Sequence, residues 1–148
     1  MLHTLPSATD RDQVVETMIS LTHLSKLDRA IVAGCDCTEL YLALRRRGFT
    51  RIGLPSRFRL RTPTFSAGLI TVQDIFSEFE TALTRVAPSL SATAAIAVLI
   101  QSNETGFALK IRRKLEQLGF RIEAGVRCHR GLVLSACRQS YAQTKWAA

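Results

Sequence analysis

The sequence predicts one α/β domain, a mostly parallel sheet with helices on both faces and an antiparallel hairpin at its C-terminal end. Three observations carry this. Residues 30–33 and 94–100 are apolar runs, and 67–72 is apolar but for Thr71, the pattern of strands buried on both faces. Between them lie stretches whose apolar residues recur at helical spacing. Near the C-terminus two strand-like runs are separated only by His129-Arg130-Gly131, too short for a crossover, so they form a hairpin.

In chain order, residues 1–8 read as an arm. Thr9 or Asp10 offers a side-chain oxygen to cap a first helix, with Val14, Val15, Met18, Ile19 and Leu21 on its inner stripe. Residues 30–33 form the first strand, broken by Gly34. Asp36 and Glu39 have the spacing of a capping box at the start of a second helix, whose stripe is Leu40, Tyr41 and Leu44. Gly48 suits a left-handed helix end, with Phe49 closing over it. Residues 52–54 make a short strand stopped by Pro55. Strand, glycine turn, helix and strand together are the nucleotide-binding half of a Rossmann-like sheet.

Residues 57–61 alternate strictly, which predicts an edge strand with Phe58 and Leu60 inward and Arg57, Arg59 and Arg61 outward. After the strand at 67–72, Asp74 is placed to cap a helix with Ile75, Phe79, Leu83 and Val86 inside. Pro88 and residues 89–93 lead to the most apolar strand, which should be central. Ser102 or Asn103 then caps a helix with Phe107, Ile111, Leu115 and Leu118 buried, and Gly119-Phe120 repeats the Gly48-Phe49 ending. Residues 139–148 read as a polar tail that docks on the body or mediates association.

The 148 residues are 47% hydrophobic and 22% charged, a globular composition. The longest apolar run falls far short of the ~20 residues of a membrane helix, so no membrane partner is expected. The first ten residues lack a basic start followed by an apolar run. With four cysteines and a core of ordinary size, the chain reads as cytoplasmic, its thiols reduced. The net charge of +8 is uneven. Arg45, Arg46, Arg47, Arg51, Arg57, Arg59 and Arg61 follow one another without an acid. A second basic stretch runs from Lys110 to Lys114 and on to Arg121, Arg127 and Arg130. Such patches suit solvated helix faces, or a surface that attracts anions or nucleic acid.

Two stretches resemble a class I S-adenosylmethionine-dependent methyltransferase: Ile31-Val32-Ala33-Gly34-Cys35-Asp36-Cys37-Thr38-Glu39-Leu40, and the second half with Arg85-Val86-Ala87-Pro88 and Gly131-Leu132-Val133-Leu134. The resemblance covers about residues 9–138. It implies a cofactor pocket around Gly34, Asp36 and Leu54, with Gln73 and Asp74 where the family places substrate contacts. The chain departs from the family at these contacts. Only Gly34 of the glycines is kept, Asp36 and Thr38 stand where glycine is favoured, and Val32 stands where an acid is favoured. Pro55 replaces the acid that holds the ribose hydroxyls, and offers neither acceptor nor N–H. Asp36 obstructs close approach to the backbone, and its charge offsets the positive end of the helix. At about 1 kcal/mol per lost polar contact, four losses weaken binding roughly a thousandfold.

Other chemistry is poorly served by the sequence. Cys35 and Cys37 stand too close, and Cys128-His129 too far along the chain, for ordinary zinc-ligand spacing. No Ser–His–Asp set or carboxylate pair stands out as catalytic. The expectation is therefore a methyltransferase-like domain without its usual cofactor, acting as an interaction or oligomerisation module. The alternatives are a divergent S-adenosylmethionine-dependent enzyme with a pocket around Gly34, Leu54, Gln73 and Asp74, and an anion or nucleic-acid binder using Arg57, Arg59 and Arg61.

Overall fold

A computed structural model describes residues 8–55 and 65–138. The elements are α1 (Ala8–Thr22), β1 (Ala30–Gly34), α2 (Cys37–Arg46), β2 (Ile52–Gly53), β3 (Phe65–Val72), α3 (Phe76–Val86), β4 (Leu90–Ile100), α4 (Phe107–Gln117), β5 (Phe120–Cys128) and β6 (Gly131–Arg138), with a 3-10 turn at Ala87–Ser89. The six strands lie in the order β2-β1-β3-β4-β6-β5. The pairs β1–β2, β1–β3 and β3–β4 are parallel, whereas β4–β6 and β5–β6 are antiparallel. This is the expected mixed sheet with its terminal hairpin, and β6 inserts beside β4.

Alternate residues of each buried strand serve opposite faces. Val32, Leu69, Leu99 and Val133 pack with Val15, Met18, Leu40 and Leu44 of α1 and α2. Ile31, Ile70, Val98 and Leu134 pack with Phe79, Leu83, Ile111 and Leu115 of α3 and α4. Two apolar layers thus sandwich the sheet, which explains why β1, β3 and β4 carry apolar residues on both faces. No helix among the described residues is long and apolar enough to cross a membrane.

The end of α2 follows local chemistry closely. Gly48 has φ 94°. Its N–H donates to Arg45 O at 3.0 Å, and the N–H of buried Phe49 donates to Leu44 O at 3.1 Å. These are the two bonds of a Schellman ending.

Helix starts depart from the sequence reading. Asp36 precedes α2 in a left-handed conformation, φ 56°, without a side-chain cap bond. A capping box needs an extended residue there, so the Asp36–Glu39 reading is corrected. Helix α3 begins two residues beyond Asp74, preceded by Ile75, again without a cap bond. Ile75 is exposed instead of buried. The start is set by Phe76, whose ring stands edge-on to Phe107 at 6.3 Å. Likewise α4 starts after Gly106, φ 87°. Ser102 Oγ instead accepts the Glu104 N–H at 3.1 Å within a turn. Leu118 lies just past α4 and is exposed.

Strand β4 also begins earlier than expected, at Leu90. Arg138 holds that start in place. Its Nη1 donates to Leu90 O at 2.9 Å and its Nη2 to Ala87 O at 3.0 Å. The guanidinium lies over the Phe120 ring at 5.0 Å, and burial lowers its pKa from the ordinary value. The edge strand expected at 57–61, residues 1–7 of the expected arm and the tail at 139–148 lie outside the described residues; Ala8 already begins α1, so Thr9 and Asp10 lie within the helix instead of before it.

Candidate functional site

The site begins where β1 stops. Gly34 pairs in register with Thr71 of β3, and its φ is 96°. A Cβ at Gly34 would collide with the Thr71 carbonyl oxygen. That oxygen also accepts the Cys35 N–H at 3.1 Å. The closeness of two neighbouring strands therefore requires glycine here, whatever else the turn does.

Beside Gly34 opens a cleft of about 490 Å³. Gly34, Cys35 and Thr38 form its base, Leu54 and Pro55 one side, and Glu78 and Arg85 of α3 the other. Of the residues singled out from the sequence, Gly34 and Leu54 line this cleft. Asp36 lines a different cavity, and Gln73 and Asp74 are exposed beyond β3 without lining either. Arg57, Arg59 and Arg61 lie outside the described residues. Glu78 and Arg85 were missed, yet they had a signal. Glu78, Thr81, Ala82 and Arg85 recur at helical spacing on the face beside the Phe79–Leu83–Val86 stripe.

The thiol of Cys35 is raised above its ordinary pKa. Burial is the main cause, the Thr71 hydroxyl partly offsets it, and the charges of Asp36 and Glu78 raise it further. A thiol so held stays protonated near neutral pH and is a poor nucleophile. Among the described residues no group of three or more His, Cys, Asp or Glu side chains converges to hold a metal ion.

Across Thr71 lies the second cavity, about 300 Å³, between α1, α2 and the carboxyl end of the sheet. Asp36, Glu39, Arg46 and Arg130 stand at its walls, with Thr71 and Gln101 among the lining residues. Thr71 Oγ1 and Gln101 Nε2 are buried without a hydrogen-bond partner among the described residues. Thr71 Oγ1 approaches Cys35 Sγ closely enough to influence it, but not in hydrogen-bonding geometry.

The basic stretches are partly consumed by the fold. Arg47 bridges Asp12 at 3.2 Å and Glu16 at 2.9 Å, tying α2 to α1. Arg45 donates to Thr50 O and lies over Tyr41. Lys114 meets Glu80 at 3.5 Å, and Arg121 meets Glu123 at 3.2 Å.

No protein-family model matches the sequence, and no curated protein matches it. Solved structures do. A release-factor-specific protein-(glutamine-N5) methyltransferase from Alicyclobacillus acidocaldarius is 16% identical, with TM-score 0.54 over 93% of this chain and 99% of its own. The [4+2]-cyclase SpnF is 14% identical, with TM-score 0.63 over 90% of this chain and 82% of its own. A ribosomal protein L11 methylase from Lactobacillus delbrueckii subsp. bulgaricus is 14% identical, with TM-score 0.59 over 90% of this chain and 80% of its own. At these identities the likeness is one of fold: the chain has the architecture of the class I S-adenosylmethionine-dependent methyltransferases.

Proposed function

We propose that this chain is a methyltransferase-fold binding module that lacks the usual S-adenosylmethionine site and works by association with a protein partner or with its own copies. The observation that carries this is Gly34. It is the one glycine of the turn that matches the cofactor-binding pattern, and its lack of a side chain is already required by Thr71. The remaining positions offer little to the cofactor. Pro55 lines the cleft where a carboxylate would hold ribose hydroxyls. Asp36 adds a negative charge beside the positive end of α2. Cys35 and Cys37 place side chains where a close backbone approach is wanted. A neighbour named as a [4+2]-cyclase supports separating this fold from methyl transfer.

A second reading, a divergent S-adenosylmethionine-dependent methyltransferase, is favoured by the cleft itself. Its volume of about 490 Å³ lies within the range of small-ligand sites. Glu78 also supplies a carboxylate there, from α3 instead of β2. Calorimetry of the full chain with S-adenosylmethionine and S-adenosylhomocysteine separates the two. The first reading expects no binding at submillimolar concentration; submillimolar binding of either compound would replace it with the second.

A further inference from the structure

We propose that the cavity between α1, α2 and the carboxyl end of the sheet is a binding site for a small uncharged amide or lactam, seated carbonyl-first on Thr71 Oγ1 and Gln101 Nε2. Thr71 is 5% exposed, and neither polar atom has a hydrogen-bond partner among the described residues. Buried polar atoms are nearly always bonded, so two orphans at one cavity call for an occupant. Thr71 lies in register with Leu99, and Gln101 follows Leu99 by two residues on the same sheet face. The orphans are therefore neighbours, and the nearby Cys35 sulfur is only a weak acceptor for one of them.

The surroundings select the ligand class. Val15, Met18, Leu40 and Leu99 give the cavity apolar walls. Its charges are two acids, Asp36 and Glu39, and two bases, Arg46 and Arg130, besides Asp12, which Arg47 engages. Asp36, Glu39 and Arg46 are exposed and Arg130 is half-buried, so two acids and two bases offset one another around the cavity and favour neither sign strongly. A carboxylate pushed down to Thr71 would lose its hydration without meeting a buried cation. An ammonium would face the Gln101 N–H donors. An amide carbonyl accepts from both orphans without bringing a charge into the cavity.

The test uses the full chain labelled with nitrogen-15 and three probes of one shape: benzamide, benzoate and benzylammonium. Benzamide is expected to shift the Gln101 side-chain amide resonance and saturate in the millimolar range. Benzoate and benzylammonium should bind at least about tenfold more weakly. Thr71→Val and Gln101→Met should each cost about tenfold in benzamide affinity, with melting temperatures equal to or above the parent's, because each removes a buried unbonded group. Equal binding of all three probes would overturn the proposal. So would unchanged affinity in both variants, or an ordered water alone on these atoms with no benzamide shift. Gln101→Met stands as the test if Thr71→Val does not fold. The cavity shares no lining residue with the Gly34 cleft, so the outcome is independent of whether S-adenosylmethionine binds.

Discussion

The hollows on the two sides of Thr71 differ in what their walls leave undone. On the Gly34 side, the residue that most resembles a ligand device is consumed by strand packing against the Thr71 carbonyl. On the other side, buried Thr71 and half-buried Gln101 each hold a buried polar atom without a hydrogen-bond partner among the described residues. The contrast teaches that a lone glycine after a strand says little about a ligand, because sheet geometry alone demands it. An orphaned polar atom says more, because folding has no use for it.

The largest expected effect breaks the first half of this contrast. Gly34→Ala puts a methyl group into the Thr71 carbonyl at a positive φ, and should cost about 3 kcal/mol or more. Urea denaturation measures it. A variant that keeps the parent's midpoint would mean that the glycine is retained for something other than packing. Next comes Arg138→Met, which strands the carbonyls of Leu90 and Ala87 and should cost about 1–3 kcal/mol in the same assay. An unchanged midpoint would show that the guanidinium is not needed to hold the start of β4.

A smaller effect runs the other way. Asp36 holds a left-handed conformation without a cap bond, so Asp36→Gly should stabilise the chain by about 0.5–1 kcal/mol. A loss of stability would mean that the carboxylate makes a contact worth more than the backbone strain.

The smallest effect concerns Cys137 of β6, the strand next to the far edge of the sheet. Burial, with Glu123 accepting its S–H at 3.1 Å, holds this thiol up at about 11 against an ordinary 9.0. The fold favours the protonated thiol. Its contribution is whole below pH 9.0 and declines toward pH 11, because the unfolded thiol ionises first. Melting temperature across that window should fall less steeply in Cys137→Ser than in the parent. Equal slopes would contradict the assignment.

What the sequence made legible was whatever local chemistry decides. Residues 30–33 and 94–100 read as buried parallel strands because both their faces are apolar. The Gly48-Phe49 ending was legible because its two bonds close within six residues. The hairpin followed from the shortness of its connection. Helix starts were misread at Asp36, Asp74 and Ser102, where a capping side chain was available but tertiary anchors such as Phe76 against Phe107 chose the boundary. Arg138 was invisible as a clamp, since its partners lie 48 and 51 residues away. Glu78 and Arg85 were in plain helical spacing, overlooked beside the stronger apolar stripe. Thr71 and Gln101 were beyond reach for another reason: being unbonded depends on every neighbour that fails to approach.

The claim that the turn after β1 serves the fold and not the family's cofactor is tested most directly at the backbone amides of the cleft. Titrating the labelled full chain with S-adenosylhomocysteine while following Gly34, Cys35 and Leu54 should leave all three resonances in place up to millimolar ligand. Saturable shifts at these amides with a submillimolar midpoint would contradict it.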